Sequence, residues 1–260
     1  MRPYFIRSMA LMAAVLFACS YAGTAQDPGS AVTRKPYQSN GTEGTITGTI
    51  TLKGKAPRPR LIDMSADPVC AAMGELETEW WVVRAGKIAN AIVYIRSGHI
   101  LDEFSFPLPE SPAQLAHKGC RYEPHALGIR VGQPLSIVNS DPTAHNTHYN
   151  AIINSEWNQS QAPDSPALSV TFSHAEPFIP FKDNQHPWEK AYVGVFSHPY
   201  FAVSDEQGHY TIQGLPPGLY TLVVQHERFG EKTLELTVSP YETRVADFTL
   251  DIADSRIKER

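Results

Sequence analysis

Between residues 45 and 250 the chain is a succession of short runs in which apolar and polar residues alternate, punctuated by glycine and proline, and this points to sheets. In Thr45-Ile46-Thr47-Gly48-Thr49-Ile50-Thr51-Leu52, the side chains of Ile46, Ile50 and Leu52 share one face and four threonines the other, the period of a half-buried strand. Residues 233–238 repeat the pattern, with Leu234, Leu236 and Val238 on one side. Residues 80–84, 89–96, 125–131, 135–139, 169–173, 178–182, 192–196, 201–204, 209–213 and 220–226 read as further strands. Turn formers such as Asp205-Glu206-Gln207-Gly208 and Gly214-Leu215-Pro216-Pro217-Gly218 separate them. Helix signals are few. A short helix is expected over residues 112–117, with Ser111 as N-cap and Pro112 in the first helical position, and another around Cys70. Residues 155–165 are polar and read as an irregular loop. Many short strands at regular spacing predict an all-β sandwich architecture.

Residues 1–25 read as an export signal peptide: Arg2 and Arg7 precede an apolar run over residues 9–18 that is too short to span a bilayer. Two processing sites compete. Leu16-Phe17-Ala18-Cys19 resembles a lipobox in which Cys19 is lipidated, whereas Gly23-Thr24-Ala25 supports ordinary cleavage before Gln26. Residues 26–43 are polar and read as a flexible linker, and residues 253–260 as a charged tail. The expected location is the periplasm, the outer membrane or the cell surface, with membrane contact only through a lipid anchor at Cys19. The formal charge is −5, from 22 basic and 27 acidic residues with no basic patch, which argues against nucleic acid as a partner.

Beyond Cys19 only Cys70 and Cys120 remain. In an oxidising compartment the simplest reading is one disulfide between them, worth about 4 kcal/mol on a chain-entropy model. The rival reading makes Cys120, five residues before His125, a metal ligand.

Two segments carry the remaining chemistry: Asn139-Ser140-Asp141-Pro142-Thr143-Ala144-His145-Asn146-Thr147-His148 and Asp183-Asn184-Gln185-His186-Pro187-Trp188-Glu189. A His-Asn pair followed by a loop with His at its centre resembles a cupredoxin copper site. There a histidine at a strand end meets a Cys-His-Met loop between two later strands, giving a metal two nitrogens, a thiolate and a weak axial ligand. Transferred by position, the ligands are His145, Asp183 in the Cys place, His186, and Glu189 in the Met place, with His148 as a substitute for His145. Neither sulfur is present. Imidazoles with carboxylates imply Cu(II) or Zn(II) in place of a blue electron-transfer site, and an emptied, metal-free site is the equal alternative. Other histidines, among them His117 and His125, read as structural.

The C-terminal DEQGHYTIQGLPPGLYTLVVQHERFG is similar to the carboxypeptidase regulatory-like, transthyretin-like β-sandwich, a carbohydrate-binding-like fold, and TITGTITLKGKAP resembles its opening strand. The intervening segment resembles the cupredoxin-type part of secreted bacterial proteins, some of them methylamine-utilisation-like. The resemblance implies a regulatory-like sandwich from residues 44–98 plus 200–252 and a cupredoxin-like domain over residues 99–199. No sequence pattern of a nucleophile elbow, zincin helix or phosphate loop is present, so a non-enzymatic protein is expected. The competing reading is a carbohydrate-binding or structural envelope module without metal, with an envelope protein or glycan as partner. Trp80, Trp81, Trp157 and Trp188 are its candidate stacking surface, with ordinary packing as the alternative.

Overall fold

The threonine-isoleucine alternation over residues 45–52 folds as the strand Gly44–Lys53, whose residues are alternately buried and half-exposed as far as Thr51. Ile46 and Ile50 are fully buried, each contributing about 1.5–3 kcal/mol. The outer threonines pair across strands, Thr47 with Thr211 and Thr51 with Thr249. The strand is a hub. It runs antiparallel to His209–Leu215 and to Lys87–Ile88, and parallel to Thr243–Val245 and Phe248–Asp251. Gly48 permits that crowding: a Cβ there would lie 2.0 Å from the Ala246 carbonyl oxygen.

The computed structural model describes Met1, residues 34–98, Leu101 and residues 103–255. The expected leader, both processing sites with Cys19, and the last residues of the expected tail lie outside the described residues. Residues from Arg34 onward group as one unit.

Facing the hub sheet is a four-stranded sheet in the order Phe201–Val203, Ile92–Gly98, Gly218–His226, Gly230–Val238. Their shared core is apolar, built on Val93, Ile95, Leu222, Val224, Leu236 and Val238 against Ile46 and Ile50. We call this pair the terminal sandwich, because both ends of the described chain supply it. Leu234 stays 38% exposed on the edge strand.

The residues between form a second, central sandwich. One sheet has the order Leu168–Thr171, Pro134–Asn139, Ala113–His117, Tyr122–Glu123. The other has the order Trp157–Gln161, His145–Tyr149, Glu176–Lys182, Lys190–Phe196, Ala126–Arg130. Leu115, Ile129, Leu135, Ile179, Phe181 and Val193 fill the space between them. The described residues are therefore nearly all-β and built of sandwich sheets.

Three local expectations are corrected. Residues 112–117 are not helical: Ala113–His117 is a strand pairing in parallel with Pro134–Asn139, and the ladder overrides the Ser-Pro start signal. The polar stretch 155–165 contains the edge strand Trp157–Gln161, whose ladder to His145–Tyr149 needs no apolar outer face. Residues 34–43 are not a free linker. Lys35–Pro36 pairs with Phe104–Ser105, Tyr37 packs on Phe104 and Phe106, and the Tyr37 hydroxyl donates to Glu43. Around Cys70 the helix does form, as Pro68–Ala72 capped by Asp67. It sits in a strap, residues 54–82, that leaves the hub strand and reaches the central sandwich before returning.

Candidate metal centre

Strand direction gathers the site at one end of the central sandwich. His117 ends Ala113–His117 and lies in register with Asn139, the last residue of its parallel neighbour. His145 opens the returning strand, Asp183 follows Glu176–Lys182, and Glu189 precedes Lys190–Phe196. Along His145–Tyr149 the side chains of His145, Thr147 and Tyr149 point inward. His148 has the opposite parity, and its ring meets Asn184 and Glu156 at the surface. As a substitute ligand it is excluded by the pleat.

His145, Asp183, His186 and Glu189 converge, each 3% exposed or less. His145 Nδ1 is 3.0 Å from Asp183 Oδ2 and 3.1 Å from Glu189 Oε1; His186 Nδ1 is 3.2 and 3.7 Å from the same two oxygens. These four atoms form a ring in which nitrogen and oxygen alternate. Its edges match the spacing of about 3.3 Å expected between tetrahedral ligands whose bonds to a cation are about 2.0–2.1 Å. Glu189 Oε1 is a buried oxygen that receives no hydrogen bond of good geometry. Asp183 does double duty, since its Oδ1 accepts from the backbone N–H groups of Gln185 and His186 and so shapes the loop.

Three further residues complete the cluster. His117, fully buried, stacks on His145 with ring centroids 4.4 Å apart; its Nδ1 lies 2.8 Å from Glu189 Oε2 and its Nε2 2.9 Å from Thr147 Oγ1. The far nitrogen of His145 meets Asp141 at 3.1 Å, and that of His186 meets Asp67 at 2.9 Å. Asp141 is fixed by the N–H groups of Gly119 and Cys120, and Asp67 by those of Val69 and Cys70. Carboxylates holding the outer nitrogen of an imidazole orient its inner nitrogen, the arrangement that metal-binding histidines use.

The electrostatics follow from these contacts. Burial would push His145 down, but hydrogen bonds to Asp141 and Asp183 and the proximity of Glu189 raise it to about 11. Burial would raise Asp183, and it is outweighed by His145 and three backbone N–H donors, which hold it below the usual carboxylate range. Asp67, opposed by burial but bonded to His186 and Thr143, is held at about 2.

The donor set does not fit a blue copper centre, because a carboxylate stands in each sulfur place. It fits a divalent cation of borderline hardness held by imidazole nitrogens and carboxylate oxygens. His145, His186, Asp183 and Glu189 would hold it, and His117 joins His145, Asp183 and Glu189 in a set whose ligand atoms all lie within 4.8 Å of one another. His117, Asp141 and Asp67 escape sequence reading. The signal for His117 was the alternation Ala113, Leu115, His117, masked by the helix start at Ser111-Pro112.

Cys70 and Cys120 form a disulfide, so Cys120 is not a ligand in this state. The four tryptophans form no common platform. Trp81 packs edge-on against Phe229, Trp80 lies under Arg228, Trp157 stacks on Tyr149, and Trp188 lies against His186. Trp80 and Trp188 do line one small cavity of about 60 Å³ with Glu79 and Arg121.

Residues 182–251 match the carboxypeptidase regulatory-like domain, from the end of Glu176–Lys182 to the end of Phe248–Asp251. No curated protein sequence matches the chain. Among solved structures, the purple cupredoxin of Nitrosopumilus maritimus is similar at 20% identity and a TM-score of 0.28, over 32% of this chain and 98% of that one. A variant of amicyanin in its Cu(I) form is similar at 21% identity and a TM-score of 0.29, over 40% and 97%. The copper-containing nitrite reductase of Thermus scotoductus is similar at 18% identity and a TM-score of 0.32, over 35% of this chain but only 24% of the reductase. The chain thus has cupredoxin-like structural neighbours and a carboxypeptidase regulatory-like segment.

Proposed function

We propose that this is an exported, non-enzymatic protein of the cell envelope whose central sandwich binds one divalent first-row metal ion without blue-copper electron transfer. The observation that carries the reading is the alternating ring of two Nδ1 and two carboxylate oxygens, with Glu189 Oε1 left without a good donor. Cu(II) is the favoured ion, because nitrogen and oxygen sites follow the Irving–Williams order. The test is calorimetry and metal analysis with Cu(II) and Zn(II) on the purified protein. Tight one-to-one Cu(II) binding, lost in His186→Ala and lacking an intense blue band, is expected. Unchanged binding in His186→Ala would sink the proposal. Asp183→Cys combined with Glu189→Met is expected to create the blue band.

The metal-free reading has its own support: each ring nitrogen of His117, His145 and His186 already has a polar partner. On that reading the cluster is a charge network inside a structural or glycan-binding module, and neither metal binds.

A further inference from the structure

Every sulfur atom that the chain carries after Cys19 belongs to Met64, Cys70, Met73 or Cys120. All four meet in one place, between the strap and the central sandwich. Met64 packs with the disulfide in one buried cluster, and Met73 Sδ lies 3.8 Å from Cys120 Sγ. Both cysteines are fully buried, while Met73 is 41% exposed, so its thioether joins the buried sulfur pair to solvent. Imidazole and carboxylate groups surround the sulfurs. Cys70 Sγ lies within 4.8 Å of ligand atoms of Asp67 and His186, and Cys120 Sγ within 4.8 Å of those of Asp141 and His145.

We propose that reduction of the Cys70–Cys120 disulfide creates a second metal site, selective for a thiophilic monovalent cation, Cu(I), on the strap side of the histidine cluster. A dithiol reductant breaks the sulfur–sulfur bond, delivers one electron and one proton to each sulfur, and leaves as its own disulfide. Cu(I) then displaces both thiol protons to solvent and binds the two thiolates, with no change in its oxidation state. Once uncoupled, the sulfurs separate to van der Waals distance, which suits two thiolates on one metal with bonds of about 2.3 Å. The Met73 thioether is the third donor and the point of entry. Thiolates and thioethers select Cu(I) over harder cations, whereas the imidazole–carboxylate ring favours Cu(II). The protein would then carry a hard site in both redox states and a soft site only in the reduced one.

The test uses the full chain with Cys19→Ser, so that Cys70 and Cys120 are the only thiols. Cu(I) affinity is measured by competition with a chromogenic Cu(I) chelator, for oxidised protein and for protein reduced with dithiothreitol and freed of it anaerobically. Reduced protein is expected to bind one Cu(I) at least a thousandfold more tightly, and that ion should protect both thiols from alkylation. Met73→Leu, which keeps the disulfide, should weaken Cu(I) binding about tenfold and leave Cu(II) binding unchanged. Asp183→Asn with Glu189→Gln should do the reverse, which separates failure of this site from failure of the first. A gain of less than tenfold on reduction, alkylation that Cu(I) does not slow, or loss of the sheet signal in circular dichroism on reduction would each overturn the proposal.

Discussion

His226, at the end of Gly218–His226 in the terminal sandwich, and His145, at the start of His145–Tyr149 in the central one, are both buried. They take opposite charge states. Burial sets His226 and pushes it down to about 4, and His198, which bonds the Ile95 carbonyl, behaves alike. At His145 the surrounding carboxylates outweigh burial and raise it to about 11. Depth alone therefore says little about a histidine; the anions placed around it decide. The terminal sandwich spends its inner face on isoleucine, valine and leucine. The central one gives up apolar packing at one end to a cluster of three imidazoles and four carboxyl groups.

The sharpest way to break that contrast is to delete one histidine from each side. His145→Leu should destabilise the protein by about 3–5 kcal/mol, because it strands buried carboxylates. His226→Leu should cost no more than about 1–3 kcal/mol, since it orphans only the Arg228 N–H. Urea unfolding compares the two, and equal losses would dissolve the distinction.

Acid and alkali sharpen it further. His198 and His226 are held near 4 against a usual 6.5, so they resist protonation in the folded state. Stability from them is complete above pH 6.5 and is lost as the pH falls through 4, by about 3 kcal/mol for each group. Replacing both with glutamine should flatten the acid limb of a stability–pH curve. His125 has the opposite sign. Burial would lower it, but Glu227 of the terminal sandwich and Glu79 of the strap raise it to about 9. Its contribution is complete below pH 6.5 and fades as the pH rises through 9. His125→Gln should therefore flatten the alkaline limb alone.

Smaller effects belong to the outer carboxylates and the edges. Asp141→Asn should weaken Cu(II) binding about 10–100-fold by releasing the far nitrogen of His145, measured by calorimetry. Leu234→Ala, on an exposed edge, should change the unfolding free energy by no more than about 0.5 kcal/mol.

Much of this molecule is written locally. Alternation around Ile46 and Ile50 marks the hub strand, and the glycine–proline turns mark where strands end. The spacing of His145 from the Asp183–Glu189 loop brings four residues into one neighbourhood, because a hairpin loop and an adjacent strand start share a sheet end. What stayed hidden depends on register between distant segments. His117 reaches the cluster only through its pairing opposite Asn139, and Asp67 only because the strap crosses from one sandwich to the other. Asp141 stands inside the 139–148 segment, and nothing in its neighbours announces that it holds His145. Trp157–Gln161 lacks the apolar alternation of a strand because four of its five residues are polar, and Gln161 alone among them is buried.

The disulfide encloses more than the later part of the strap. The covalent loop from Cys70 to Cys120 contains the strand Ile92–Gly98 and the passage between the sandwiches that follows it. A protease that nicks this passage leaves an N-terminal fragment still bonded to the remainder. Such a chain migrates as one species in non-reducing electrophoresis and as two after reduction, so the half that carries the hub strand cannot be shed while the bridge to Cys120 stands.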